Sequence, residues 1–170
     1  NAHLALKKTG GRPRGPAATQ AKRAAETMER LKFLRSVPLF ADLEGGELML
    51  LNNIAREIKL RKGHVVFREN DSGDALYVVL SGGVQVVKGK DTVLMTLKER
   101  DCFGEMAILD EEPRSATVRA AGAAGLLSIQ RADFFELLSD YPRISFGLLK
   151  TICRRLRRMG ELQAEADTES

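Results

Sequence analysis

The sequence predicts an α+β fold in which an antiparallel β-roll, a jelly-roll-like barrel, is flanked by N-terminal helices and by two C-terminal helices. Three observations carry that prediction. From Ala21 to Arg35 the apolar residues Met28, Leu31 and Leu34 stand at helical spacing. Between Glu57 and Gln130 the pattern changes to short apolar stretches separated by Gly, Asp and Ser, as in antiparallel rolls. After Ile129 helical spacing returns, with Ile144, Leu148, Ile152, Leu156 and Met159 recurring every three or four residues. At 170 residues, 44% of them hydrophobic, the chain is long enough for one well-cored domain with extensions and short for two full domains.

Taken in order, residues 1–20 read as a flexible basic arm. Asn1-Ala2 in place of Met looks like the remnant of a cleaved tag, and the chain like a domain cut from something longer. Lys7 to Gln20 mixes Gly, Pro and basic residues without an apolar period. Its Gly11-Arg12-Pro13-Arg14 partly matches the Gly-Arg-Pro core of minor-groove hooks, but Gly10 stands where an arginine should. A solvated linker is the expectation, and nucleic acid is not an expected partner. Residues 1–35 hold nine Lys or Arg against two Glu, a net of +7, which leaves −3 for the other 135 residues. The basic character therefore belongs to the start of the chain.

Residues 21–56 form the N-terminal helices. The first ends where Pro38 breaks it in Val37-Pro38-Leu39-Phe40, and the second contains Glu47 to Leu51 and runs to about Arg56. Residues 57–130 form the roll, beginning at Val65, Val66 and Phe67. Its clearest further strands are 76–80, 84–87, 93–97, 116–120 and 126–129. Residues 131–160 hold one helix over Ala132 to Ser139, stopped near Pro142, and a longer one over Ile144 to Met159. That second helix is crowded with Arg143, Lys150, Arg154, Arg155, Arg157 and Arg158. Residues 161–170 (ELQAEADTES) read as a frayed polar tail.

Several function classes are disfavoured. No run approaches the eighteen or so apolar residues of a membrane span, and no secretory segment opens the chain. Cys102 and Cys153 lie far apart without a CxxC, which fits reduced cysteines in cytoplasm; a membrane-associated parent protein stays open. A metal-dependent jelly-roll enzyme needs two or three histidines on the roll. Only His64 lies there, His3 being in the arm, and no Ser-His-Asp set can be assembled, so no catalysis, metal or cofactor is expected.

The chemistry concentrates in Phe103 to Ala120, FGEMAILDEEPRSATVRA. Gly104 permits a turn or close approach, and Glu105 to Leu109 are helix formers whose first amides would be open to an anion. Asp110 to Glu112 make a solvated turn closed by Pro113. The planar fork of Arg114 can grip two phosphate oxygens at once. Glu105, of opposite sign, would accept from a ribose hydroxyl, so the pair points to a sugar phosphate. The bland alternative is an ion pair between Glu105 and Arg114 in a degenerate pocket.

The run Phe103-Gly104-Glu105-Met106-Ala107-Ile108-Leu109, followed by Pro113-Arg114-Ser115-Ala116-Thr117-Val118, closely resembles the phosphate-binding cassette of cyclic-nucleotide-binding domains. These occur in the bacterial cAMP receptor protein, protein kinase A regulatory subunits and cyclic-nucleotide-gated channels. Val37-Pro38-Leu39-Phe40 with Leu43 and Glu47-Leu48 resembles the opening helices of that family, and Gly73-Asp74, Tyr77, Val79, Gly82 and Val84 its spacing in the roll. The resemblance implies that Glu105 holds the ribose 2'-hydroxyl and Arg114 the cyclic phosphate. It adds backbone contacts from Gly104, Met106 and Ala107, and contacts from Ser115 and Ala116.

The same resemblance implies base contacts from Leu94, Met95 and Leu97 and, on the closing helix, from Arg155 and Met159. It departs from the family at two places. Arg100 stands where a glycine is usual, so that turn must either change its backbone or strain a non-glycine residue. The Thr-Ser pair that meets adenine after Arg-Arg-Leu is replaced by Arg157-Arg158-Met159-Gly160. Ser115 could meet guanine as a threonine does in cGMP-preferring relatives, so the expected ligand is cAMP, with cGMP open. The expected mechanism is reversible binding that shifts the final helix and signals to a covalently attached effector absent from this chain. Ile144 to Met159 is also a candidate homodimer helix. The alternative is a ligand-free interaction or dimerisation module.

Overall fold

The computed structural model describes residues 16–168; side chains at positions 16, 107, 108, 148, 151, 155, 159, 160 and beyond 161 lie outside that description. The chain opens with helix α1 (Pro16–Ser36), whose first turn accommodates a proline because its N-H would be unpaired there anyway. Residues 16–20, expected in the flexible arm, are thus helical. The remainder of the arm, with Gly11 to Arg14, lies outside the described residues. Pro38 ends the run as predicted, and a short 3-10 turn (Pro38–Phe40) leads to α2 (Gly45–Ile54).

Eight strands follow: β1 (Arg56–Leu60), β2 (Val65–Phe67), β3 (Ala75–Ser81), β4 (Gly83–Lys88), β5 (Thr92–Lys98), β6 (Cys102–Phe103), β7 (Thr117–Ala120) and β8 (Ala124–Gln130). Helix α3 (Glu105–Asp110) interrupts them between β6 and β7, and α4 (Arg131–Asp140) and α5 (Arg143–Thr168) close the chain. The strands make two antiparallel four-stranded sheets, ordered β1-β8-β3-β6 and β2-β7-β4-β5. The jelly-roll-like β-roll of the sequence reading is therefore present, but its sheets are not closed into a barrel.

Two further boundaries differ from expectation. The roll begins at Arg56 rather than Val65, because Ile58 and Leu60 alternate with charged residues on a strand buried mainly at its end. Helix α5 continues to Thr168 through the stretch expected to fray, which is rich in the helix formers Glu, Leu, Gln and Ala.

Two apolar cores share the first sheet. Leu76 and Val78 of β3 with Leu127 and Ile129 of β8 face the helices, packing with Leu34, Val37, Phe40, Leu51, Phe134 and Ile144. Val79 and Leu126 turn instead into the roll, against Leu60, Val84, Phe103 and Val118. Both faces of β3 and β8 are consequently dry. That is why those strands read as almost continuous apolar runs.

Helix α2 is fixed by a capping box. The Glu47 carboxylate accepts from the Glu44 backbone N-H at 2.7 Å and pairs with Arg143 Nη2 at 2.6 Å, tying α2 to the start of α5. The bond from the Glu44 backbone, helped by Arg143 and opposed by burial, holds the Glu47 carboxyl below its ordinary pKa. A lowered folded pKa stabilises above the ordinary carboxylate range and ceases to do so as pH falls through the folded value. Glu47→Gln is accordingly expected to cost about 1 kcal/mol at neutral pH. Denaturation of both proteins across acid pH should show the difference closing below about pH 4.

Of the two outcomes open to the turn before the cassette, the structure takes the strained one. Arg100 has φ 76° and is held there because its N-H donates to the Val79 carbonyl at 2.8 Å, while the Lys98 N-H donates to the Asp101 carboxylate at 2.8 Å. A left-handed non-glycine residue costs about 1–2 kcal/mol, part of which a glycine would return as unfolded-chain entropy. Arg100→Gly is expected to raise stability by about 0.5–1 kcal/mol, read as a higher denaturant midpoint at constant slope.

Candidate functional site

The cassette is built on the loops joining the two sheets. Strand β6 delivers Phe103, after which Gly104 takes φ 82° and α3 begins. Helix α3 has only six residues, so its dipole is short and the positive charge of the site rests on Arg114. Glu111, at φ 59°, ends the helix and Pro113 leads into Arg114. The Arg114 backbone is pinned to the β2–β3 loop, its N-H donating to the Asp71 carbonyl and its carbonyl accepting from the Asn70 N-H, both at 2.8 Å. A second tether lies alongside. Lys88 Nζ pairs with Glu69 at 2.6 Å and donates to the Ser115 carbonyl at 2.7 Å, while the Glu69 N-H donates to Thr117 Oγ1.

The Arg114 side chain turns inward and is 4% exposed. Nη1 donates to the Gly104 carbonyl at 3.0 Å and Nη2 to the Ala75 carbonyl at 2.8 Å. Nε is buried without a hydrogen-bond partner. The guanidinium lies 4.1 Å from the centre of the Phe67 ring and 5.9 Å from that of Tyr77. Tyr77 stacks on Phe103 at 5.1 Å, and Phe67 leans on both rings. An aromatic cage thus holds a cation by its ring faces. Burial pulls the Arg114 pKa down, opposed by the fields of Tyr77, Asp74, Glu105 and Asp71. Burial also pushes the Tyr77 hydroxyl up.

Of the residues expected at the site, Gly104 and Arg114 are in direct contact, and a Cβ added at Gly104 would lie 2.6 Å from Arg114 Nη1. Glu105, the first residue of α3, is also 4% exposed, and its charge acts on Arg114. Both side chains of the pair are thus buried. Ala116 is buried, Ser115 is exposed, Met106 points to solvent at 60% exposure, and the Ala107 side chain lies outside the described residues.

The residues expected to flank a base lie on β5. Met95 and Leu97 pair with Val86 and Val84 on one face of the sheet and Leu94 falls on the other; Met95 and Leu94 are 51% and 56% exposed, and Leu97 packs against the core of the roll. The side chains of Arg155 and Met159 lie outside the described residues. Sequence reasoning missed the cage. Tyr77 and Phe103 were visible only as members of motifs, and Phe67 as the end of a strand; nothing in their spacing shows that three rings from β2, β3 and β6 meet.

Comparison with known proteins gives a consistent result. The family model described as "Cyclic nucleotide-binding domain" matches residues 57–141. The chain is 30% identical to the "CRP-like cAMP-activated global transcriptional regulator" of Mycobacterium tuberculosis, over 75% of this chain and 58% of that protein. It is 37% identical to the "cAMP-dependent protein kinase regulatory subunit" of Yarrowia lipolytica, over 62% of this chain and 28% of that one. It therefore spans less than two thirds of either relative. Among solved structures it is similar to the N-terminal domain of a transcriptional regulator from Streptomyces coelicolor. The TM-score is 0.63 at 32% identity, covering 76% of this chain and 92% of that domain.

Proposed function

Because the chain belongs to the cyclic nucleotide-binding domain family, we propose that it is a sensor that binds a cyclic nucleotide reversibly, without chemistry, and passes the event to an attached effector. One observation carries the proposal: Arg114 is a buried cation whose Nε lacks a hydrogen-bond partner and whose other donors rest on neutral carbonyls. A buried charge whose hydrogen bonds reach only neutral carbonyls gains from a ligand anion. The cyclic phosphate would supply that anion, and Glu105 would accept from the ribose hydroxyl. Met95 and Leu97 would flank the base. cAMP is the favoured ligand because the relatives above carry it in their names, and cGMP is the competitor to test. Ligand would shift α5 in proportion to its preference for one position of that helix.

Calorimetric titration with cAMP and with cGMP, after unfolding and refolding to strip any carried nucleotide, tests this reading. Saturable binding of either supports it, and the affinity ratio decides the base. Absence of both heat and thermal shift would overturn it.

A second property concerns α5. Its apolar residues divide between two faces: Ile144 is buried and Ile152 half-buried, whereas Phe146, Leu149 and Leu156 are 64%, 56% and 63% exposed. With the exposed Cys153 they fall within about 80° of arc. We propose that this line pairs with that of a second copy. Mild oxidation should then give a Cys153-linked dimer that is absent in Cys153→Ser, and whose yield drops when Leu149 and Leu156 are made polar. A strictly monomeric oxidised product would refute the pairing.

A further inference from the structure

Away from the cassette, a small cavity of about 190 Å³ opens between the β5–β6 turn, the 3-10 turn and α5. Its lining includes Arg100 and Asp101 from the first, Leu39 from the second, and Arg154 and Arg158 from the third. We propose that this cavity is a second binding site, distinct from the cyclic nucleotide cassette, and that it takes a small multiply charged phosphate anion.

Three arguments support it. The first is charge balance. Three arginines from two elements distant in sequence line one cavity, and Asp101 is the one acid among its lining residues. That carboxylate already accepts from the Lys98 backbone N-H at 2.8 Å. Among the described residues Arg154 and Arg158 make no ion pair. Arg100 reaches only its neighbour Glu99, at 3.9 Å. Asp42 pairs with Lys150 at 2.6 Å, and the field of Arg154 reaches it as well. Like charges four residues apart on a helix, as Arg154 and Arg158 are, oppose each other. An anion between them would turn that repulsion into attraction.

The second is geometry. At about 100° per residue, Gly147, Lys150, Arg154 and Arg158 occupy one side of α5. Gly147 seats that side on the 3-10 turn so closely that a Cβ would lie 2.3 Å from the Leu39 carbonyl oxygen. The arginines are therefore carried on a helix anchored against the cavity rather than on a free end. The third is chemistry. Planar forks match phosphate oxygens, and three of them around a volume of several waters suit a pyrophosphate-sized group better than a single carboxylate. Such an anion would bridge the roll to α5, so the site would also fasten that helix.

The test uses the full chain and inorganic pyrophosphate, at ionic strength held constant with sodium chloride. Saturable binding is expected by calorimetry, with a matching rise in melting temperature. Arg154→Gln and Arg158→Gln should each weaken it at least tenfold. Arg100→Gly should weaken it similarly while the unliganded protein melts no lower than the wild type, which separates lost binding from lost folding. Sedimentation with phosphatidylcholine vesicles carrying phosphatidylinositol 4-phosphate identifies the source. Pyrophosphate-sensitive capture assigns a lipid headgroup, and lack of capture beside saturable free binding assigns a soluble phosphate. Equal pyrophosphate affinity in all four proteins, or a response that chloride reproduces, would overturn the proposal. The outcome does not depend on whether the cassette binds cyclic nucleotide.

Discussion

Arg114→Ala is expected to weaken cyclic nucleotide binding by about 30-fold to several thousand-fold, the range found when one member of a buried charge pair is removed. The folded state should lose far less. The substitution frees the Gly104 and Ala75 carbonyls of their charged donor, yet it also relieves the chain of a buried cation with an unpaired Nε. These effects oppose, and a net loss of about 1–2 kcal/mol is expected. Arg114→Lys should fall between wild type and alanine. An ammonium keeps the charge but cannot span both carbonyls or lie flat on Phe67. Calorimetric titration of the three proteins, each with its denaturation curve, separates affinity from folding. Undiminished affinity in Arg114→Ala would sink the sensor reading, because among the described residues no other cation is buried.

What was legible in the chain beforehand follows from which forces act locally. Pro38 fixed the helix break, and short apolar stretches bounded by Gly, Asp and Ser marked the strands from Leu76 onward, because both are properties of a few neighbouring residues. The departure at Arg100 was legible for the same reason, but which of its two outcomes follows was not: the turn keeps left-handed backbone, φ 76°, on a non-glycine residue. The cassette was legible as a motif. Its interior was not. That Arg114 rests on the Ala75 carbonyl, between rings supplied by Phe67 and Tyr77, depends on β2, β3 and β6 meeting through long-range pairing. No local pattern encodes that. The division of α5 into a core face and an exposed apolar face was hidden likewise, since Ile144 and Phe146 are equally apolar and only the packed sheet distinguishes them.

Gly104→Ala is the second substitution expected to have a large effect, and it mirrors Arg100→Gly. Both positions have left-handed backbone, at φ 82° and φ 76°, so moving to glycine should stabilise one and moving away from it should destabilise the other. Strain alone would cost about 1–2 kcal/mol at Gly104. Space adds to it: the new Cβ would lie 2.6 Å from Arg114 Nη1 and 3.0 Å from the Ala75 carbonyl oxygen. The guanidinium must move, and the ligand anion with it. A total loss of about 2–4 kcal/mol of stability and a drop of more than tenfold in affinity are expected. A double-mutant cycle with Arg114→Ala assigns the causes. If displacement of Arg114 is what costs affinity, Gly104→Ala should do little further harm to the residual binding of Arg114→Ala. Its stability cost in that background should also shrink toward the strain alone. Full additivity in both quantities would mean that Gly104 acts only through its own backbone and that the guanidinium is not positioned by the empty space glycine leaves.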